Sequence, residues 1–478
     1  MLTERAKALR PVIQAALDAG GIDAICELIA SLEARFEARI AELEKRLNQN
    51  SSNSSKPPSS DGVKRTNSLR ENNTGRKPGG QPGHPGQTLH QSQTPDITVA
   101  ALLDRCPECD RDLADQAPDS LERRQVFDLP AIKMQVTEHQ VPVKTCPHCR
   151  ATVRGKFPAD VDAPAQYGPG MRAIMSYLNV RQVIPCARTA EICQDLFGHR
   201  PSAGSVVQAI AKCAELLGPS VMAIRDVLKA APVLHSDETG VRCTGKTHWL
   251  HVASTATHSH FSYSPKRGVE GFAVAEILAG YSGTLVHDFW GPYDKIQCRH
   301  SRCNAHLLRE LGSCAEDGHP WAKDLITTLL ETKKIAEDTR EKGETEIKEP
   351  ERNRLQSLYE KWVSTGLKAH PEQQKPSGKR GRIKQSKEHN LLKRLRDKRE
   401  EVLRFMDDLG VPFDNNQAER DLRMIKVQQK VSGCFRSVKG AQRFCTISSY
   451  LSTARKQGRN ALESLRIAFM RDPVGFSS

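Results

Sequence analysis

Aromatic residues make up only 5% of this 478-residue chain, and its 57 acidic side chains are outnumbered by 71 lysines and arginines. So few aromatics fit a helix-rich protein with long polar segments. The shortage of acid leaves a formal net charge of +14 and a pI near 9.2. That balance favours polyanionic partners and the release of their counterions. No charged-then-apolar signal segment opens the chain, and no uncharged stretch approaches the ~20 apolar residues of a membrane span. A reducing cytoplasm and no membrane partner are therefore expected. There the 14 cysteines serve metal binding or packing rather than disulfides. The length exceeds what one core holds, so several domains are expected.

What the chain does have is three short acidic motifs, far apart and in order. They are His235-Ser236-Asp237-Glu238-Thr239-Gly240, His287-Asp288-Phe289-Trp290-Gly291-Pro292-Tyr293 and Asn415-Asn416-Gln417-Ala418-Glu419-Arg420. Asp237 and Asp288 close short apolar runs that read as strands, and Glu419 opens a basic helix. Two strand-end aspartates and a helix glutamate suit a pair of hard cations such as Mg²⁺. Such ions take a few carboxylate oxygens and keep positions for water and phosphate. In so basic a chain the phosphates expected are those of nucleic acid.

Upstream, Ile25, Ile29, Leu32, Phe36, Ile40, Leu43 and Leu47 advance in steps of 4, 3, 4, 4, 3 and 4. That is an eleven-residue repeat, which keeps a seam almost straight along a helix. It reads as a short coiled coil pairing two chains, or as an amphipathic helix packed on its own protein. The Ser-, Asn-, Pro- and Gly-rich stretch that follows cannot bury a core. Within it, Arg76 and Lys77 belong either to an extended basic arm along a minor groove or to a solvated linker. Two C-x-x-C pairs come next, Cys106 with Cys109 and Cys146 with Cys149. Joined by alternating segments at 125–129 and 134–143 that read as strands, they predict a zinc ribbon with four thiolates around Zn²⁺. A redox dithiol would not need the second pair. From 168 to about 228 the pattern is helical, and the break at 197–201 followed by Ser202 has the form of a helix-turn-helix. Such a pair either reads a major groove or simply packs.

At Pro232 the periodicity changes. Strands are expected at 233–237, 249–253, 260–263 and 284–287, with a helix at 272–278 between the last two. Three meandering strands, a helix and a strand parallel to the first make the ribonuclease-H-like order, which would bring Asp237 and Asp288 to neighbouring strands. From Glu419, helical spacing reaches Arg423, Lys426 and Lys430 on one face. With the adjacent Arg420, these are candidate DNA-phosphate contacts. Cys303 and His306 open the helix after the second aspartate. With Cys298 nearby they could form a second zinc site or pack beneath the acids. The charged stretch between about 316 and 409 reads as an α-helical insertion with a loose basic middle. Seven segments result: a coiled-coil helix (1–48), a flexible basic linker (49–98), a zinc ribbon (99–160), a helical DNA-binding-like domain (165–230), an α/β core in two parts (231–315 and 410–478) and the insertion (316–409). The fold class expected is multidomain α+β.

With these residues in view, the chain resembles bacterial DDE transposases of the insertion sequence 66 family. The likeness rests on the tracts 50–59 and 75–86, the paired cysteines, and the motifs at 235–240, 303–306 and 415–420. It implies a ribonuclease-H-like catalytic domain split by the insertion, with Asp237, Asp288 and Glu419 as the catalytic triad holding Mg²⁺ or Mn²⁺. It further implies cleavage of transposon ends and joining of their 3′-OH to target double-stranded DNA. The partners implied are a multimer holding two ends, aided by the N-terminal coiled coil, and accessory proteins of the same element.

Overall fold

The computed structural model describes residues 4–47, 89–101, 103–130, 132–374 and 383–470. The chain divides into two units, one of residues 1–69, 165–190 and 202–478, the other of 70–164 and 191–201. Helix α1 (Glu4–Leu47) is interrupted at Gly20 and Gly21, the latter in the left-handed region at φ 66°. Beyond that break Ile29, Phe36, Ile40, Leu43 and Leu47 of the eleven-residue seam are all exposed. Arg76 and Lys77 lie outside the described residues.

The smaller unit contains the two cysteine pairs. Among the described residues from 89 to 164, regular structure is one short antiparallel ribbon, β1 (Val143–Thr145) with β2 (Thr152–Arg154), around the second pair, and a single bridge from Arg105 to Asp112 around the first. The strands expected at 125–129 and over most of 134–143 do not form. Alternation makes a strand only where a partner pairs its backbone and one face is covered. Here Val126, Leu129 and Val136 stay in water.

The larger unit continues with α2 (Pro169–Ser176) and a π-helical turn at Tyr177–Arg181. α3 (Cys186–Phe197) begins in it and runs into the smaller unit at residue 191, and α4 (Ala203–Lys229) belongs to the larger unit again. Gly198, at φ 68°, ends α3. Ser202 caps α4, its Oγ accepting the Ser205 N–H at 3.0 Å, which satisfies one of the free donors of a helix start. By length and composition alone α4 could cross a membrane. Its Cys213, Leu217, Val221, Ile224 and Leu228 are instead buried in the same core as the sheet.

That sheet has five strands in the order β5-β4-β3-β6-β7. β3 (Val233–Cys243), β4 (Lys246–Ser254) and β5 (Ser259–Ser264) form an antiparallel meander. Thr244 and Gly245, both at positive φ, make the tight turn between the first two. α5 (Val269–Ala273) then leads to β6 (Thr284–His287), which lies parallel to β3, and β7 (Arg299–Arg302) lies parallel to β6. α5 is earlier and shorter than the 272–278 pattern suggested. Glu276 takes a left-handed φ of 55°, which ends the helix while Phe272, Ile277 and Leu278 still reach the core.

After the sheet come α6 (Asn304–Glu316), α7 (Pro320–Glu341), α8 (Glu349–Ala369), α9 (Lys387–Asp397) and α10 (Arg399–Asp407). They bury a second core around Leu311, Trp321, Leu325, Leu329, Tyr359 and Leu392. α11 (Asn416–Ser432), α12 (Val438–Lys456) and α13 (Ala461–Phe469) return to the first core, α11 through Ala418, Leu422 and Ile425. Each fully buried leucine or isoleucine stabilises by about 1.5–3 kcal/mol. The apolar stripe on α11 therefore fixes which way Glu419 faces.

Candidate metal centre

β3 and β6 run side by side in register, with Val233 opposite Thr284, Leu234 opposite Leu285 and His235 opposite Val286. Asp237 is two residues beyond His235, and Asp288 two beyond Val286. Parallel strands rise equally per residue, so the two aspartates leave the ladder at the same level. Glu419 comes from the first turn of α11. Burial pushes the Asp237 carboxyl well above its ordinary range, and the charges of Glu238, Asp288 and Glu419 add to the effect. Asp288 and Glu419 are also raised, chiefly by burial; Glu419 feels Asp288 as well, while Arg309 opposes. Mutual repulsion in a poorly solvated site is relieved by protons or by a cation.

Four acids share this electrostatic field, and their hydrogen bonds separate them. Glu238 has a side chain only 2% exposed. It accepts two bonds from Arg267, at 3.0 and 2.8 Å, and one from the Tyr293 hydroxyl at 2.7 Å. Arg267 in turn lies over the rings of Trp249 and Trp290 at 4.7 and 4.0 Å. Glu238 is thus fully engaged. Asp237 accepts the Glu238 N–H at 2.8 Å and Asp288 the Trp290 N–H at 2.9 Å, each through one oxygen. Oε1 of Glu419 is buried with no hydrogen-bond partner. Its neighbours are Nδ1 of His306 at 3.8 Å and the Arg309 guanidinium at 3.7 Å. Asp237, Asp288 and Glu419 retain acceptor capacity, and carboxylate oxygens are the donors that Mg²⁺ or Mn²⁺ takes, although their oxygens do not all lie within 4.8 Å of one another.

Other motif residues hold these in place. Asn415, buried to 2% exposure, donates to the Ser236 carbonyl at 2.8 Å and meets Nδ1 of His235 at 2.9 Å. Its own N–H reaches Cys303 Sγ at 3.2 Å. Asn304 donates to the Val402 carbonyl at 3.0 Å, and its N–H to that of Phe413 at 3.1 Å. Asn415 therefore joins segments about 180 residues apart. Burial lowers His306 to about 4 and raises Cys303 to about 12.

The cations of α11 divide. Arg420, Arg423 and Lys430 are exposed, with Arg420 bonded to Gln417 at 3.0 Å. Lys426 does not share their exposed stripe. It is half-buried, and burial lowers its ammonium against the attraction of Asp237. The cause is the packing of α11 on β3, where Gln429 donates to the Gly240 carbonyl at 2.5 Å. Sequence reasoning missed Glu238, Arg267, Tyr293 and Arg309 as parts of the site. Glu238 and Tyr293 sit inside the quoted motifs, and Arg309 lies three residues after His306 on α6. Arg267 has no local signal.

In the smaller unit the two cysteine knuckles repeat one another. The Cys106 and Cys146 N–H groups donate to the carbonyls of Arg111 and Ala151, both at 2.9 Å. The residues that close the turns, Asp110 and Arg150, both have positive φ. Hydrogen bonds from the Glu108 and Cys109 backbones lower the Cys106 thiol, and those from Cys149 and His148 lower Cys146. These knuckles favour thiolates, as a metal requires. The four sulfurs are not gathered in one place, however. Among the described residues, the group of three metal-binding side chains drawn together is Cys303, His306 and Glu419.

Fold and site together define a mixed α+β protein whose buried carboxylates have capacity for a cation, with a separate paired-cysteine module. A model of the IS66 transposase family matches residues 164–443, and a model of that family's zinc-finger binding domain matches residues 104–150. A family of unknown function matches residues 9–90. The chain belongs to the IS66 transposase family, and its paired cysteines to that family's zinc finger. It is also 25% identical over 232 residues to the uncharacterized protein y4qI of Sinorhizobium fredii (strain NBRC 101917 / NGR234). That match covers 45% of this chain and 40% of the relative's length.

Proposed function

We propose that this protein is a DNA transposase that cuts the ends of its insertion sequence and joins their 3′-OH groups to target DNA. The observation that carries the proposal is the alignment of Asp237 and Asp288 on parallel neighbouring strands, with Glu419 sharing their electrostatic field, in a chain of this family. The strand order β5-β4-β3-β6-β7 supports a ribonuclease-H-like core, and α7 to α10 would be its insertion. Asp237, Asp288 and Glu419 would hold two Mg²⁺ or Mn²⁺ ions. When bound, such ions make a nucleophile of water or a 3′-OH and stabilise the leaving oxygen during in-line phosphoryl transfer. Glu238, locked to Arg267 and Tyr293, keeps the middle of β3 rigid beside Asp237. Arg309 offsets the charge of Glu419. Lys426 offsets that of Asp237.

Arg420, Arg423 and Lys430 would lie along DNA phosphates, positioning the duplex without reading its sequence. Arg76 and Lys77, the zinc finger and the α3–α4 pair would add contacts to the element's ends. The exposed seam of α1 supports pairing of two chains as a coiled coil, and accessory proteins of the element remain part of the proposal. The test uses duplexes carrying the inverted repeats that flank the gene. Asp237→Asn and Glu419→Gln should each reduce Mg²⁺-dependent cleavage by at least ~10³-fold, the scale of a removed key transition-state contact, while binding is retained. Cleavage at the unmodified rate in either variant would refute the site. Cleavage without strand transfer by the unmodified protein would leave a nuclease instead.

A further inference from the structure

Cys303, His306 and Glu419 each present one ligand atom, and these atoms all lie within 4.8 Å of one another. Cys303 is the N-cap of α6 and His306 stands in its first turn, so one helix end supplies both. The start of α11 supplies the carboxylate. Cys303 is fully buried. Nδ1 of His306 and Oε1 of Glu419 are both buried without a hydrogen-bond partner, 3.8 Å apart. One orphaned buried polar atom is destabilising, and two that approach each other are accounted for by a cation that both ligate.

The donor set is thiolate, imidazole and carboxylate, which suits a borderline-soft ion rather than Mg²⁺. Tetrahedral Zn²⁺ with such ligands sets the ligand atoms ~3.3–3.8 Å apart, so modest side-chain rotation closes the group. Three protein ligands leave a fourth position open. Arg309, 3.7 Å from the same Glu419 oxygen, supplies the counter-charge otherwise.

We propose that Cys303, His306 and Glu419 form a transition-metal site that takes Zn²⁺, and that filling it withdraws Glu419 from the two aspartates, so that zinc inhibits the Mg²⁺-dependent reaction. The second half rests on the role given to Glu419 under the proposed function, whereas the first does not. The experiment measures zinc per chain by elemental mass spectrometry on full-length protein and on His306→Gln, after equilibration with buffered free Zn²⁺. The variant should hold one zinc fewer per chain. Co²⁺ substitution, followed by its thiolate charge-transfer band, checks Cys303→Ala in the same way, with circular dichroism verifying that each variant is folded. Equal metal content in folded protein and variants overturns the site.

Zinc is then titrated into Mg²⁺-supported cleavage, which should fall at least tenfold in the unmodified protein. If zinc content drops in the variant yet zinc leaves cleavage of the unmodified protein unchanged, the withdrawal of Glu419 is overturned and the site stands. A protein that loses one zinc on His306→Gln but cleaves no DNA with any metal would refute the transposase reading, and the inhibition with it, and keep the site.

Discussion

Leu234, Leu250 and Leu285 in the sheet are fully shielded from water, whereas Val126, Leu129 and Val136 between the cysteine pairs are 91%, 79% and 89% exposed. No described residue between 89 and 164 is buried. The sheet region is held by apolar burial, and its polar motif residues have been fitted into that core with named partners. The cysteine module has no such core. Its order comes from two small turns, each centred on a cysteine whose backbone bonds are already made. A burial-driven fold can carry a costly cluster of acids because many other contacts support it. A module without a core would depend on a metal held by its cysteines, as small zinc domains do.

The sharpest way to break this comparison is to remove zinc. Structural zinc contributes about 10–16 kcal/mol to small metal-dependent domains. Chelation, or Cys146→Ser, should therefore unfold residues 103–154 entirely and leave the larger unit intact. Limited proteolysis should cut within that stretch while a fragment beginning near residue 165 persists. A module that stays protease-resistant without metal would show that burial or pairing of another kind supports it.

The same contrast explains what could be read from sequence. β6 runs over the residues its apolar pattern indicated, Thr284–His287, because a strand buried on both sides leaves a continuous apolar run. The meander of β3 to β5 was legible from periodicity and turn residues, although β3 runs on to Cys243. Residues 125–129 alternate just as clearly, yet nothing covers them, because local pattern carries no information about a partner. At the site, Asp237, Asp288 and Glu419 stood out as motifs. Arg267 did not, since its bond to Glu238 and its place between two tryptophans are made across 29 residues and three elements. The half-burial of Lys426 was not legible, because helical spacing fixes only which residues share a face. What lies against that face, here β3, is a tertiary fact.

An intermediate effect probes how the burial-driven region positions its polar groups. Asn415→Ala would leave the Ser236 carbonyl and Nδ1 of His235 buried and unpaired. Two orphaned groups cost about 2–6 kcal/mol together. The denaturant midpoint should fall with no change in slope, since the surface exposed on unfolding stays the same. Cleavage should fall as well, because Asn415 links the strand carrying Asp237 to the helix carrying Glu419. A variant as stable as the unmodified protein would mean that water satisfies both groups.

The smallest effect has the opposite sign. Asp237 is raised in the folded state by burial and by its acidic neighbours, so folding favours its protonated form. Its contribution to stability is present below the unfolded value of about 3.9 and is lost as pH rises through the folded value. At pH 7 the ionisable carboxyl therefore destabilises the metal-free fold. Asp237→Asn removes the ionisable group and keeps an oxygen to accept the Glu238 N–H, so it should stabilise the metal-free protein at pH 7. The expected gain is a few degrees in Tm, the scale that about 1 kcal/mol gives in a domain of this size. The gain should shrink as pH falls toward 4, where the unmodified carboxyl is protonated. Added Mg²⁺ should narrow it at pH 7, because the cation offsets the same charge in the unmodified protein and finds one ligand fewer in the variant. Scanning calorimetry at pH 7 and pH 4.5, with and without Mg²⁺, measures all four values. A variant less stable than its parent at pH 7 without metal would show that Asp237 is held by attractions the repulsion does not outweigh.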